Sequence, residues 1–167
     1  MANLPYRPCV GIMLIKDGRV WIGDRIAQGK VTPAPRPQSW QMPQGGIDPG
    51  EAPNVAAMRE LEEEVGTPKA KIIGEAPDWL NYDLPKRVVG KALRGRYRGQ
   101  TQKWFAMRFL GQDHEISLTS HHQQEFSSWR WAELDEVVEL IVPFKRPVYE
   151  KVAIAFRDLV EAERTTD

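Results

Sequence analysis

Three glutamates close together in the sequence are the side chains best suited to chemistry in this chain. Glu60, Glu63 and Glu64 have i, i+3 and i+4 spacing, so a helix would place them on one face. Like charges at this spacing destabilise a helix by about 0.2–0.5 kcal/mol per pair. A solvated charged face is the simplest interpretation, but Arg59 is the only base between Gln44 and Thr67. A hard divalent cation, which prefers carboxylate oxygens, would turn the repulsion into coordination.

A second group of candidate functional side chains is basic. Eight Lys and Arg residues and no acidic residue lie between Lys86 and Arg108. Alone, this run is typical of a solvated loop followed by a half-exposed strand. Beside an acidic metal site it favours a phosphate-binding surface, because Lys and Arg neutralise the charge that the metal leaves uncovered. The two groups together indicate hydrolysis of a phosphoanhydride, in which a metal polarises phosphoryl oxygens and activates water.

The segment around the glutamates resembles the Nudix box. That motif reads Gly, five residues, Glu, seven residues, Arg-Glu, an aliphatic residue, any residue, Glu-Glu, any residue, Gly and an aliphatic residue. The positions that match it in register are Gly45, Glu51, Arg59, Glu60, Leu61, Glu63, Glu64 and Gly66. Thr67 stands where the motif has its last aliphatic residue, a departure that concerns packing rather than chemistry.

The resemblance implies a divalent metal site, with Mg²⁺ as the expected ion and Mn²⁺ or another divalent cation able to replace it. The residues implied in metal binding are Glu60, Glu63, Glu64, Glu125 and Gly45. Glu63 and Glu64 are expected to be the nearest ligands, with Glu60 assisting.

The resemblance also implies catalytic roles for Glu63, Glu64, Glu125 and Arg59. Arg59 would orient a carboxylate by ion pairing, while Glu51 would fix the loop against the helix. The proton acceptor stays open between a helix glutamate and Glu125, which would enter from the loop before its strand.

Beyond the box, most of the chain resembles the bacterial RNA pyrophosphohydrolases, a group also described as dinucleoside polyphosphate hydrolases. The resemblance depends on short segments such as YRP at 6–8, WQMPQGG at 40–46, LPKR at 84–87 and FKR at 144–146. It implies that a 5′-triphosphorylated or diphosphorylated RNA end is cut to a 5′-monophosphate, which promotes mRNA decay. The residues implied in substrate binding are Arg7, Tyr82, Lys86, Gln102, Lys103, Phe144 and Lys145. Arg7 and Phe144 would sandwich a base, since guanidinium and aromatic faces stack on bases.

Two alternatives stay open. A dinucleoside polyphosphate hydrolase, acting on diadenosine tetra- or pentaphosphate, would use the same chemistry on a different leaving end. The basic run mildly favours RNA, because RNA offers phosphates beyond the reacting group. A non-catalytic nucleotide-binding sensor is expected to have lost box glutamates, and all of them are present here.

The elements that position these residues follow from hydrophobic periodicity and from Gly and Pro. Strands are predicted over 6–15, 20–23, 71–73, 79–82, 102–110 and 125–131, and loops over 28–39 and 45–50. Helices are predicted over 53–65, 132–140 and 148 to about 162, and Val55, Met58, Leu61 and Val65 are expected to form the buried side of the first. Strands alternating with helices predict a mixed sheet covered by helices. The resemblance specifies an α/β/α sandwich with a mixed β-sheet.

Length and composition are typical of one globular domain. The chain has 167 residues, of which 41% are apolar, and its net charge is zero, so no global attraction to nucleic acid or membrane follows. We expect a single domain over 1–167 with a frayed tail at about 164–167. Cys9, the one cysteine, excludes an internal disulfide and suits a reducing compartment. No leader and no apolar run of about 18 residues is present, so a cytoplasmic location without membrane contact is expected.

Overall fold

Strands and helices alternate through the computed structural model, which describes residues 4–26, 38–90, 92–120 and 123–164. The strands are β1 (Tyr6–Lys16), β2 (Arg19–Arg25), β3 (Trp40–Gln41), β4 (Gln44–Gly46), β5 (Ala70–Glu75), β6 (Leu80–Asp83), β7 (Gly99–Phe109) and β8 (Phe126–Ala132). The helices are α1 (Pro53–Val65), α2 (Leu134–Leu140) and α3 (Arg146–Ala162). None of these helices combines the length and apolar character needed to span a bilayer.

The strands form one mixed sheet. Its order is β3-β2-β1-β7-β5, with β4 also pairing with β1, β6 with β7 and β8 with β2. The central pair, β1 and β7, is parallel, and the other pairings are antiparallel. At the β1–β2 hairpin, Asp17 and Gly18 both have positive φ, as a tight two-residue turn requires. The predicted mixed sheet is confirmed.

Helices cover both faces of this sheet. On one face, Ala56, Ala57, Leu61 and Val65 of α1 pack with Ile12 and other sheet residues. On the opposite face, α2 and α3 supply Val137, Val152 and Phe156 to a second cluster with Met13 and Trp104. The two clusters on either side of one sheet confirm the α/β/α sandwich.

Helix α1 has the predicted bounds, but one predicted contact is wrong. It begins at Pro53 and ends at Val65, and the following Gly66 has a φ of 85° that marks a left-handed cap, a conformation that glycine adopts without strain. Val55 was expected on the buried side and is 53% exposed. The buried side instead consists of Ala56, Ala57, Glu60, Leu61, Glu64 and Val65. Because Ala56 and Ala57 are small, α1 packs close to the sheet. The carboxylates of Glu60 and Glu64 lie on the same side of the helix and are therefore buried.

The predicted loop at 45–50 is also wrong at its first two residues. Gln44–Gly46 forms β4, which pairs with Cys9–Gly11 of β1. Several other boundaries also shift slightly; for example, β7 starts at Gly99, Ala132 ends β8 and α3 starts at Arg146. The predicted loop at 28–39 lies outside the described residues except at its last two positions, as does most of the predicted frayed tail.

Candidate active site

Arg59 connects the acidic helix to the loop before it. Its guanidinium donates two hydrogen bonds to the Glu51 carboxylate, at 2.9 and 2.8 Å, and one to the Gly46 carbonyl at 2.9 Å. It also donates to Glu60 at 3.0 Å and to Glu63 at 3.3 Å. The Arg59 hydrogen bonds lower the pKa of Glu51 to about 2. Arg59 therefore orients box carboxylates, and Glu51 ties the loop to α1.

Glu60 and Glu64 are buried carboxylates on the sheet-facing side of α1. Burial, followed by repulsion from Glu63, raises the pKa of Glu60 to about 7. Burial, followed by repulsion from Glu60 and Glu125, raises the pKa of Glu64 well above its ordinary value. The backbone N–H of Gln44 donates to Glu64 at 3.3 Å. Burial is the main cause of both raised pKa values, and the charges of neighbouring carboxylates add to it.

This acidic group fits a hard divalent cation by its chemistry. Its donors are carboxylate oxygens, and a cation between them would reverse the repulsion that raises their pKa values. Glu125 belongs to the group, since its charge acts on both Glu60 and Glu64. Within the described ranges, no three His, Cys, Asp or Glu side chains are already grouped closely enough to hold a metal ion. Glu63 lies against Arg59, so it would turn from Arg59 to act as a ligand.

Gly45 lies directly against the Glu60 carboxylate. A Cβ added at Gly45 would lie 2.0 Å from Glu60 Cδ. Only glycine leaves room for that carboxylate beside β4. The predicted metal residues Glu60, Glu64, Glu125 and Gly45 are therefore neighbours, while Glu63 is the exposed member of the set.

Aromatic and basic side chains form a second part of the site. The Tyr82 and Phe144 rings lie 5.6 Å apart, and Lys145 Nζ lies 5.4 Å from the Tyr82 ring. Phe144 is 37% exposed, so its ring is open to a ligand. Arg7 packs against Gly46, where an added Cβ would lie 2.3 Å from a guanidinium nitrogen.

The remaining predicted substrate residues have different environments. Lys86 is exposed in the segment after β6. Lys103 is buried and donates to the carbonyls of Ala76 and Pro77 at 2.6 and 3.3 Å, so it holds the loop after β5. Gln102 is 1% exposed, and its amide donates to two other glutamine side chains.

Sequence reasoning missed Arg25, Gln44 and Gln100. Arg25 ends β2, and its charge acts on both Glu64, in the acidic part of the site, and Lys145, in the basic part. Its position just after the predicted strand at 20–23 was the available signal. Gln44 and Gln100 are buried polar residues on β4 and β7. Polar residues at alternate positions of a strand, such as Gln100 and Gln102, were the corresponding signal for the glutamines.

Known proteins resemble this chain over most of its length. The family model described as NUDIX domain matches residues 5–152. An RNA pyrophosphohydrolase of Mesorhizobium japonicum is 54% identical over 94% of this chain and 93% of that relative. One of Brucella anthropi is 54% identical over 95% of this chain and 93% of the relative. A solved E. coli dihydroneopterin triphosphate pyrophosphohydrolase superposes with a TM-score of 0.62 at 18% identity, covering 90% of this chain and 98% of the other. That last likeness concerns the fold alone.

Proposed function

This chain belongs to the Nudix family, and from that membership we propose that it is an RNA 5′-pyrophosphohydrolase. The enzyme would hydrolyse the 5′-triphosphate or diphosphate end of RNA to a 5′-monophosphate, a reaction that promotes mRNA decay and takes place in the cytoplasm. Relatives that carry this name match nearly the whole chain at 50–54% identity.

One observation carries the proposal: a buried acidic group meets a buried basic group within one site. Glu60 and Glu64 lie on α1, Lys145 is buried immediately before α3, and the charge of Arg25 acts on both Glu64 and Lys145. Hydrolysis of a phosphoanhydride needs both groups. The acidic group would hold a metal cation, and the metal and the basic side chains together would balance the charge of the phosphates in the ground state and in the transition state.

Members of the family generally use divalent cations, and we assign Mg²⁺ to the carboxylates of Glu60, Glu63 and Glu64, with Glu125 and Gly45 beside them. The bound ion would supply polarisation of the phosphoryl oxygens and a lowered pKa of water. The chain's own part is positioning and proton transfer. Arg59 holds the box carboxylates in place. The proton of the attacking water would pass to a carboxylate of the acidic group, either a glutamate of α1 or Glu125, which lies outside that helix.

The basic and aromatic side chains would hold the RNA end. We infer that Lys145 and Arg25 bind phosphate oxygens that carry charge during the reaction, because the charge of Arg25 acts on both Lys145 and Glu64. Arg7 and the open ring of Phe144 suit stacking against a base, as planar cations and aromatic rings do in complexes with unpaired nucleotides. Lys86 would add a solvent-exposed phosphate contact, whereas Lys103 reaches the substrate only if it leaves the carbonyls of Ala76 and Pro77.

A side-by-side assay tests the proposal. The specificity constant kcat/KM is measured with Mg²⁺ on a short 5′-triphosphate RNA and on diadenosine tetraphosphate. A clearly higher value on RNA is expected. Preference for the dinucleotide would make the enzyme a free-nucleotide hydrolase, and absence of turnover on both, with nucleotide binding retained, would indicate a sensor.

Metal binding is testable without turnover. A ligand that binds only the native state increases the unfolding free energy, by about 2.7 kcal/mol when the ligand concentration is a hundred times Kd. The melting temperature Tm rises as a result. We expect Mg²⁺ added to chelator-treated protein to raise Tm. The Glu64→Gln variant should show a much smaller rise, and an equal rise would remove Glu64 from the metal site.

A further inference from the structure

A chain of buried hydrogen bonds runs along β7 from the core to the rim of the site. Trp104 Nε1 donates to Gln102 Oε1 at 3.0 Å. Gln102 Nε2 donates to Gln44 Oε1 at 2.7 Å and to Gln100 Oε1 at 2.8 Å. Trp104 is fully buried, and its ring fills the space beside Gly11, where an added Cβ would lie 2.3 Å from the indole.

The donor-to-acceptor direction of these hydrogen bonds is fixed at the buried end of the network. An indole N–H can only donate, whereas a glutamine amide can present either its oxygen or its nitrogen. Trp104 therefore requires the Gln102 oxygen to face it, which turns the Gln102 NH₂ group toward the rim. Both hydrogens of that NH₂ group are used, so Gln44 and Gln100 must present their oxygens to Gln102 and keep their own NH₂ groups as donors.

Tyr82 lies beside the Gln44 end of this network. Burial raises the pKa of Tyr82, and the neighbouring Gln44 side chain acts in the opposite direction.

Sheet register places the ends of the network beside the base-stacking candidates. Arg7 of β1 is opposite Gln100 of β7, and Gln100 is opposite Tyr82 of β6. Residues directly opposite on neighbouring strands share a face of the sheet. The row Arg7, Gln100 and Tyr82 therefore faces one space, and Tyr82 contacts Phe144 and Lys145.

We propose that Trp104 is a positioning residue that makes the Gln100 amide a hydrogen-bond donor to phosphate oxygens of the substrate. Phosphate oxygens only accept hydrogen bonds at neutral pH, so a rim made of donors is complementary to them. If the amides were reversed, Gln100 would present a carbonyl oxygen to the phosphates and repel them. The inference rests on the proposed function in one respect, because it takes a phosphate-bearing substrate as the ligand.

The test compares Trp104→Phe with Trp21→Phe. Both residues are fully buried tryptophans, but Trp21 Nε1 has no hydrogen-bond partner among the described residues and lies in the cluster on the other face of the sheet. Trp104→Phe should raise KM about tenfold, as expected for the loss of a hydrogen bond to a charged group. Its kcat should change little, because phosphate contacts of this kind act on bound substrate and transition state alike. Trp21→Phe should leave KM unchanged at a similar loss of Tm.

Equal KM values in the two variants would overturn the proposal and leave Trp104 a packing residue. The substrate for this comparison is whichever of 5′-triphosphate RNA and diadenosine tetraphosphate the wild-type protein turns over better. Lack of wild-type turnover on both would count against the proposed function and not against the orientation of the amides.

A second measurement needs no variant and no turnover. Inorganic tripolyphosphate is titrated into ¹⁵N-labelled wild-type protein, and the side-chain amide resonances of the glutamines are followed by NMR. The Gln100 amide should shift strongly, while the Gln102 amide, whose hydrogens are already bonded, should shift little. A shift of Gln102 larger than that of Gln100 would show that the amides are oriented otherwise, and an unmoved Gln100 would remove it from the site.

Discussion

Burial decides what each charged side chain of the site can do, and Glu64 shows this most clearly. Replacing Glu64 with Gln should lower kcat by more than about a hundredfold, since even outer partners of a metal site cost about 10–100-fold when removed. The metal-free variant should be no less stable than the wild type, because burial and neighbouring acids raise the pKa of Glu64 and an amide carries no charge to bury. Steady-state kinetics and thermal unfolding measure the two effects.

The matched control is Glu62→Gln, which changes the exposed glutamate at the variable position of the same helix. It should keep wild-type kcat and KM. Near wild-type activity in Glu64→Gln would contradict its assignment as a metal ligand, and a comparable loss in Glu62→Gln would show that the helix charge as a whole, rather than one ligand, is responsible.

Lys145 makes substrate binding depend on pH. Burial, followed by the charge of Arg25, lowers its pKa to about 8. A lysine loses its positive charge as pH rises through its pKa, so kcat/KM, which reports the free enzyme, should fall as pH rises above about 8. Lys145→Arg keeps its charge throughout this range and should remove most of the alkaline fall. A pH profile of kcat/KM with an identical alkaline limb in both proteins would assign the limb to another group.

At the scale of elements, β4 and α1 form one unit because Gly45 and Glu60 are in contact. Gly45→Ala should displace the Glu60 carboxylate, since its Cβ would lie 2.0 Å from Glu60 Cδ. We expect weaker Mg²⁺ binding and a lower kcat with a folded protein. Gly50→Ala is the contrasting variant. Its Cβ would meet open space, but its φ of 78° strains any non-glycine residue by roughly 1–2 kcal/mol.

The two glycine variants should therefore differ in which property of the protein they change. Gly45→Ala should change the Mg²⁺ concentration needed for half-maximal rate, and Gly50→Ala should change mainly the unfolding free energy. Titration of activity with Mg²⁺, together with urea unfolding, distinguishes them. If Gly45→Ala needs no more Mg²⁺ than the wild type, the close packing of Gly45 on Glu60 has no bearing on the metal.

Local patterns predicted most elements and missed contacts between elements. Pro53 and Gly66 fixed the bounds of α1, and the largely apolar segments at 6–15 and 102–110 predicted β1 and β7. Val55 was wrong because helical spacing identifies a side of the helix but does not say which part of it the sheet will cover. Arg25 and Gln44 escaped notice because their roles arise from strand pairing, which brings together residues far apart in the sequence. The spacing of Glu60, Glu63 and Glu64 was readable because a single helix positions them.

At the scale of the whole molecule, one sheet supports both apolar clusters, so the two halves should unfold together. Leu61→Ala removes a fully buried side chain from the α1 face and should lower the unfolding free energy by about 2–5 kcal/mol. Unfolding should remain a single transition. Urea unfolding followed by both fluorescence and far-ultraviolet circular dichroism checks this, and separate midpoints for the two signals would mean that the clusters are independent.

Ile154→Ala serves as the control for this prediction. Ile154 is 78% exposed on α3, so its truncation should change the unfolding free energy by no more than about 0.5 kcal/mol. A loss as large as that of Leu61→Ala would indicate that the outer face of α3 is buried in solution.

The parallel pairing of β1 with β7 also has a consequence for biosynthesis. Tyr6 pairs with Gly99 and Ile15 with Arg108, so the first strand meets its central partner only after about ninety further residues have been made. At elongation rates of about 5–20 residues per second, that interval is on the order of 5–20 seconds. During it the nascent chain carries a nearly complete apolar strand with one edge unpaired. The time for which this edge stays unpaired therefore depends on the speed of translation. Slow codons before residue 109 would prolong the exposure of the nascent chain to chaperones and proteases.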